Sequence, residues 1–186
     1  TFPESEDARI IIDLSEGNSD TSVETYLHQI NETTFEGYRF SKGWASDQRE
    51  YFTLVSSKPI SDFILYEENQ KLEGDEAKGV YTKGILEFKT EKDEVVKLKM
   101  GISPVSSKNA LENIESEIPH WDFDLIADVA DRKWNKELSK VKITTTDLTK
   151  KRIFYTAMFH TMIAPNLFND VNGEYRGTDK KVYADP

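Results

Sequence analysis

A polar segment near the end of the chain carries the side chains best suited to binding a small polar ligand. The sequence FYTAMFHTMIAPNLFNDVNGEYRGTD, residues 154–179, begins as an apolar run and breaks at Pro165. Its second half contributes amides, carboxylates, a phenol and a guanidinium: Asn169, Asp170, Asn172, Glu174, Tyr175, Arg176 and Asp179. Such groups can donate and accept hydrogen bonds at the same time. The pattern therefore predicts a ligand-binding loop after a helix.

Asp170 and Arg176 are the leading candidates in this loop. An ionised Asp accepts two hydroxyl hydrogen bonds, and Arg donates a planar fork of them. The alternative is an Asx-turn, in which Asp170 caps backbone N–H groups and Gly173 takes a positive φ. The residues alone favour the turn, and Tyr175 and Arg176 can equally brace the loop. A calcium loop of the EF-hand type is excluded, because Gly173 stands at position 4 and that motif needs Gly at position 6.

Trp44, in the stretch Ser-Lys-Gly-Trp-Ala, is a second candidate for ligand contact. Its aromatic face is suited to stacking on the C–H rich face of a sugar. The alternative, a core or domain-interface Trp, is the more common situation for this residue type. No catalytic residue and no metal ligand is assigned. The chain has no Cys, its three His residues form no metal-spaced pair, and no Ser/His/Asp order is present.

Composition limits the classes of partner. The 186 residues carry a net charge of −10 without a basic tract, which argues against nucleic acid and against an anionic membrane surface. No run of about 18 apolar residues exists, so we expect no membrane span. The chain starts without Met, and its first apolar run already has the pattern of a strand. We therefore expect a piece of a larger protein.

The first half of the chain has the pattern of an antiparallel β-sandwich. Short β-branched and aromatic runs alternate with turn residues and predict seven strands: 9–14, 23–31, 34–40, 51–57, 60–66, 80–88 and 95–102. We expect a hairpin across residues 31–33 and another pairing between strands 80–88 and 95–102. Residues 67–78 are charged and turn-like. Seven strands are few for a closed sandwich, so part of a sheet is expected to be missing.

The period changes to that of helices after Pro104. Ser107 is expected to cap a helix over 108–117, and Asp122 a longer one to about Val141. Thr146 or Asp147 is expected to cap a third helix. This last helix is apolar on most sides, which predicts burial within a helical assembly.

Three stretches resemble the bacterial α-mannosidases of glycoside hydrolase family 92. The longest starts at Trp134, and its closest part is FYTAMFHTMIAPNLFNDVNGEYRG. GYRFSKGWASDQREYF resembles the sandwich domain of that family, and HWDFDLIADVADRKWNKEL resembles the segment before its helical domain. The resemblance covers nearly the whole chain in one order.

The resemblance implies an α+β fold: part of an antiparallel β-sandwich (1–105), a helical linker (106–143), and the first helix of an (α/α)6 toroid (144–186). It implies a parent enzyme that is an exported bacterial hydrolase, calcium-dependent, inverting and exo-acting on mannose-containing glycans, with α-1,2 linkages preferred. The proton-transfer groups and calcium ligands are expected outside this chain, so the isolated chain is expected to be inactive.

The resemblance also affects the site residues, the location and the assembly. It favours substrate binding by Asp170 over the Asx-turn. Tyr175, Arg176 and Trp44 stay further candidates for substrate contact, with bracing of the loop as the alternative for Tyr175 and Arg176 and packing as the alternative for Trp44. It implies a periplasmic or extracellular location. The apolar surface left by missing partners predicts self-association of the chain. The alternative function is a non-catalytic carbohydrate-binding or interaction module.

Overall fold

A computed structural model describes residues 1–185 and divides them into two compact units. The first unit contains Thr1–Pro119 and the segment that starts at Asn169, and the second is His120–Phe168. The first unit holds all nine strands of two sheets: β1 (Ser5–Asp13), β2 (Thr21–Gln29), β3 (Thr34–Lys42), β4 (Gln48–Ser56), β5 (Asp62–Glu67), β6 (Gln70–Leu72), β7 (Glu76–Gly79), β8 (Thr82–Thr90) and β9 (Leu98–Ser103).

The two sheets are antiparallel and enclose a shared core. One sheet has five strands in the order β7-β2-β3-β4-β9, and the other has four in the order β1-β8-β5-β6. Alternate side chains of each strand point inward, because the side-chain period of a strand is two. Two apolar clusters contain residues of both sheets: Ala8, Phe35, Leu54, Leu86 and Phe88 in one, and Leu14, Leu27, Phe52, Leu65 and Ala77 in the other. The unit is therefore a β-sandwich.

The inner face of β9 is apolar and yet exposed. Met100 lies opposite Leu54 and Ile102 lies opposite Phe52 in the register with β4. Residues directly opposite in an antiparallel pair share a face, so both point to the inner side of the sandwich. Met100 is nevertheless 54% exposed and Ile102 is 63% exposed. The four-stranded sheet does not cover this end of the five-stranded sheet.

Helix α1 (Ser107–Glu117) packs on the outer face of the five-stranded sheet. Ser106 caps it, since its hydroxyl accepts from the N–H of Asn109. Gly101 makes the close approach possible, because a Cβ at that position would lie 2.1 Å from the carbonyl oxygen of Ala110. The Ser107 carbonyl also accepts from the Thr53 hydroxyl at 2.8 Å. The first unit thus includes a helix with a buried face.

The second unit consists of two helices, α2 (Phe123–Leu138) and α3 (Leu148–Thr161). Asp122 caps α2 and Asp147 caps α3, each through its carboxylate. The rings of Trp134 and Phe159 lie 4.5 Å apart between their centroids. Neither helix has a buried residue. Within residues 1–185, no helix combines the length and hydropathy that crossing a membrane requires.

The chain returns to the first unit as a small hairpin. Strand β10 (Glu174–Arg176) pairs antiparallel with β11 (Val182–Ala184), and Tyr175 lies opposite Tyr183. The expected loop is thus a turn followed by a two-stranded sheet. Short strands rich in charged residues give little period-two pattern, which is also why β6 and β7 were not predicted.

Two further expectations are wrong. Strands β8 and β9 do not pair with each other: β8 lies between β1 and β5, and β9 pairs with β4. The cap of α1 is Ser106 rather than Ser107. The structure confirms the seven predicted strands, the three helices and the hairpin between β2 and β3. It also confirms the helix caps Asp122 and Asp147. The domain boundaries at 105 and 143 stay predictions.

Candidate functional site

The predicted ligand loop forms a tight turn. The Gly173 N–H donates to the Asp170 carbonyl at 2.9 Å, and the Asp170 N–H donates to the Glu174 carbonyl at 2.8 Å. Gly173 has φ +85°, a conformation that Gly adopts without a Cβ penalty. A turn with Gly173 at positive φ is therefore present, but it is not the expected Asx-turn: backbone atoms close it, and the Asp170 carboxylate accepts from the side chains of Ser103, Asn109 and Asn113.

The Asp170 carboxylate is buried among three side-chain donors. Its Oδ2 accepts from Ser103 Oγ at 2.6 Å and from Asn109 Nδ2 at 2.8 Å. Its Oδ1 accepts from Asn113 Nδ2 at 2.8 Å. The residue is 4% exposed. Within the first unit, this carboxylate joins the end of β9 and two turns of α1 to the returning chain.

Arg176 also directs its guanidinium at the chain itself. Nε donates to the Pro104 carbonyl at 3.0 Å, and Nη1 donates to the Lys180 carbonyl at 2.8 Å. These two bonds fix β10 beside the β9–α1 connection and close the turn that follows it. The bracing interpretation thus describes the contacts of Arg176, and its role in substrate binding stays a prediction.

The hairpin presents an aromatic and acidic edge. The rings of Tyr175 and Tyr183 are stacked, with centroids 5.8 Å apart. The Tyr183 hydroxyl donates to Asp179 at 2.7 Å. This bond, together with one from the Lys181 N–H, lowers the pKa of Asp179, and the same bond raises the pKa of Tyr183. Asp179 is therefore an ionised hydrogen-bond acceptor at neutral pH.

Trp44 lies on a loop that an ion pair connects to this hairpin. The Lys180 ammonium lies 3.1 Å from Asp47 Oδ2, three residues after Trp44. That ammonium, with Arg49, lowers the pKa of Asp47. Trp44 is fully exposed, so it is not a residue of the sandwich core. The structure thus brings the Trp44 loop and the Asp179 turn to one side of the first unit.

This surface is suited to binding a polyol rather than to proton transfer. An exposed indole offers an apolar face, and the ionised Asp47 and Asp179 accept hydrogen bonds. A general acid needs a pKa raised towards the working pH, whereas both of these carboxylates have lowered pKa values. We assign no acid or base role to either.

The donor set for the calcium ion that the resemblance implies is not assembled here. Residues 1–185 contain no group of three or more His, Cys, Asp and Glu side chains with the geometry of a metal site. Calcium takes six to eight oxygen ligands, so the described residues do not fit it.

Two family models match the chain in succession. The glycosyl hydrolase family 92 N-terminal domain matches residues 1–103, and the family 92 catalytic domain matches residues 109–186. The chain belongs to glycosyl hydrolase family 92. The change from the first domain to the second falls at the connection between β9 and α1, where Asp170 and Arg176 make their contacts.

Solved family 92 structures share this fold. A family 92 α-mannosidase from Bacteroides thetaiotaomicron matches 100% of the chain at 30% identity with a TM-score of 0.94. A family 92 inverting mannosidase from the same species matches 99% of it at 22% identity with a TM-score of 0.86, which shows the fold alone. The chain spans about a quarter of the length of both, 26% and 25%.

A secreted glycosidase of uncharacterised activity from Arthroderma benhamiae is 29% identical over 83 residues. The match covers 42% of this chain and 10% of that protein. The architecture of an N-terminal β-sandwich followed by the start of a helical domain is confirmed.

Sequence reasoning missed several residues of this surface. Asp47, Lys180 and Tyr183 were not candidates, although each forms a contact described above. Asn109 and Asn113 were also missed. Their spacing of four residues places both on one face of α1, but this signal gains meaning only when the partner at position 170 is known.

Proposed function

We propose that this chain is part of an exo-acting, inverting and calcium-dependent α-mannosidase that removes mannose from glycans, with a preference for α-1,2 linkages. The match of the whole chain to an α-mannosidase at 30% identity supports the proposal most strongly. A structure of the same mannosidase with mannoimidazole, which matches equally well, supports a mannose-containing substrate.

The proposed chemistry needs two carboxyl groups. An inverting glycosidase uses one carboxylic acid to protonate the leaving oxygen and one carboxylate to activate water, about 6.5–9.5 Å apart. We place both groups, and the calcium ligands, in the part of the parent enzyme that this chain does not include. This chain would then supply the sandwich, the linker and a wall of the substrate pocket.

Within that wall, Trp44 is the residue we propose for contact with the sugar ring. Its complete exposure leaves the indole face free for stacking, and the ionised Asp179 turn lies on the same side of the unit. Tyr175 is the second proposed contact. Asp170, which the resemblance favours, and Arg176 are less accessible, because their polar atoms already bind the protein.

The test uses the full-length parent enzyme and α-1,2-mannobiose, with the α-1,3 and α-1,6 isomers as controls. We expect mannose release that is lost with EDTA and restored by calcium, with the β-anomer observed first by proton NMR. The isolated 186-residue chain should release none. A parent that releases no mannose, or that cuts within glycans, would overturn the proposal.

A non-catalytic carbohydrate-binding module is the second candidate, and the exposed Trp44 favours it. Calorimetric titration of the isolated chain with mannose oligosaccharides separates the two. Tight binding by the isolated chain, together with an inactive parent, would favour the module. Trp44→Ala should abolish that binding.

We also propose a location outside the cytoplasm and self-association of the isolated chain. The relative named as a secreted glycosidase supports export, and the uncovered Met100 and Ile102 support association. Light scattering of the isolated chain should show dimers or larger species, and Met100→Glu should shift them towards the monomer.

A further inference from the structure

All side-chain hydrogen bonds of the Asp170 carboxylate run in one direction, from the partner to the carboxylate. All three of its side-chain partners donate: Ser103, Asn109 and Asn113. A carboxylate suits this environment because both of its oxygens are acceptors. With three acceptor positions occupied and 4% of the residue exposed, the carboxylate has little capacity left for a ligand.

The side chains of Ser103, Asn109 and Asn113 cannot rotate away from Asp170 without losing other hydrogen bonds. Ser103 Oγ accepts from the N–H groups of Val105 and Ser106 at 2.9 and 3.2 Å, so its proton points to Asp170. Asn109 gives its second amide proton to Glu174 at 2.8 Å, and its oxygen accepts from the Ser106 hydroxyl.

Asn113 is held in the same way. Its Nδ2 also donates to the Ile102 carbonyl at 3.0 Å, and its Oδ1 accepts from the Val171 N–H at 2.9 Å. A rotated Asn113 amide would lose both of these bonds. The network therefore fixes which atom faces each Asp170 oxygen.

We infer that Asp170 is a positioning residue: its buried carboxylate, held by Ser103, Asn109 and Asn113, fixes the β10–β11 hairpin on the β9–α1 connection and does not itself contact the sugar. The inference rests on the proposed function for its effect on activity. The hairpin carries Tyr175 and Asp179, and Lys180 in its turn reaches Asp47 on the Trp44 loop. A displaced hairpin would misplace these groups together.

The two roles of Asp170 predict opposite results for Asp170→Asn. A sugar-binding Asp replaced by Asn keeps one acceptor, so the loss of activity should be smaller than for Asp170→Ala. A positioning Asp replaced by Asn brings an amide NH2 against at least one donor that cannot turn away. Asn should then be about as damaging as Ala.

The experiment measures hydrogen exchange and kcat/KM of the full-length parent enzyme. We expect Asp170→Asn and Asp170→Ala to speed exchange of the Gly177 and Asp185 amides by about tenfold or more, while β4 amides stay unchanged. Both variants should lower kcat/KM by a similar factor of about ten or more. Ser103→Ala should reproduce part of both effects, and Ser116→Ala, an exposed site on α1, should reproduce neither.

Two results would overturn the inference. One is an Asp170→Asn enzyme with an unchanged hairpin and reduced kcat/KM, which would indicate direct sugar contact. The other is an Asp170→Ala enzyme whose hairpin amides exchange as in the wild type. If the wild-type parent releases no mannose, the proposed function fails while the exchange measurements still decide the role of Asp170.

Discussion

The two units of this chain differ in how much of their own surface they bury. The first unit encloses large side chains completely, among them Phe35, Leu65 and Phe88. The second unit, with α2 and α3, buries none of its helical residues. Isolated helices of this length are marginal in water unless an apolar face is packed. The sandwich therefore supplies its own stability, whereas the helices depend on partners that residues 120–168 do not provide.

The largest expected effect is the loss of stability caused by Phe35→Ala in the first unit, which is compared with the same change at Phe123 in the second unit. Phe35→Ala empties a fully buried position and should cost about 3–5 kcal/mol of unfolding free energy. Phe123→Ala, at a position that is 70% exposed, should change it by less than about 0.5 kcal/mol. Urea unfolding of the 186-residue chain measures both, with amide exchange followed in the strands for Phe35→Ala and in α2 for Phe123→Ala. Equal costs would show that the second unit has a core of its own.

Helix caps provide a second test, of intermediate size. Asp147→Ala removes the acceptor for the N–H groups of Thr149 and Lys150 at the start of α3, which should cost about 1 kcal/mol of local stability. Because α3 has no buried face, the loss should appear as faster exchange within 148–152 and leave the sandwich Tm unchanged.

The matched control is Ser106→Ala, which removes the cap of α1. This helix packs on the sheet through Ala110 and Ile114, so the same loss should lower the Tm of the whole first unit. A lower sandwich Tm after Asp147→Ala would contradict the independence of the two units.

The smallest expected effect is a change in the stability of the first unit at acidic pH. The pKa of Glu67 lies below its ordinary value. Partial burial acts to raise this pKa, but the hydrogen bonds from the Val80 and Tyr81 N–H groups and the Thr82 hydroxyl lower it by more. The ionised form thus stabilises the fold above the ordinary pKa of about 4.3, and this contribution is lost as the pH falls through the lowered value.

Glu67→Gln should therefore cost up to about 1 kcal/mol at pH 7, and its Tm deficit should shrink as the pH falls below about 4. Glu137→Gln is the control in the second unit, because its exposed pairing with Lys140 contributes little. Thermal unfolding at a series of pH values tests both variants. A Glu67→Gln deficit that stays constant down to pH 3 would contradict the assignment.

The sequence predicted elements better than it predicted their partners. Strand β8 alternates clearly, since Leu86 and Phe88 point inward and their neighbours outward, so its place was found. Its partners β1 and β5 lie far away in sequence, and no local pattern identifies them. The same reason hid the surroundings of Asp170. Its donors stand 57, 61 and 67 residues earlier, so a segment expected to face a ligand is largely occupied by the protein.

The return of the chain at Asn169 makes the helical unit an insertion with both ends held by the sandwich. The chain leaves the first unit after Pro119, and the contacts of Asp170 and Arg176 secure it again on α1 and Pro104. A protease that cut the exposed connection between α2 and α3 would therefore leave two pieces joined without a covalent bond. The hydrogen bonds of Asp170 would then work as an intermolecular interface between a long N-terminal piece and a short C-terminal one.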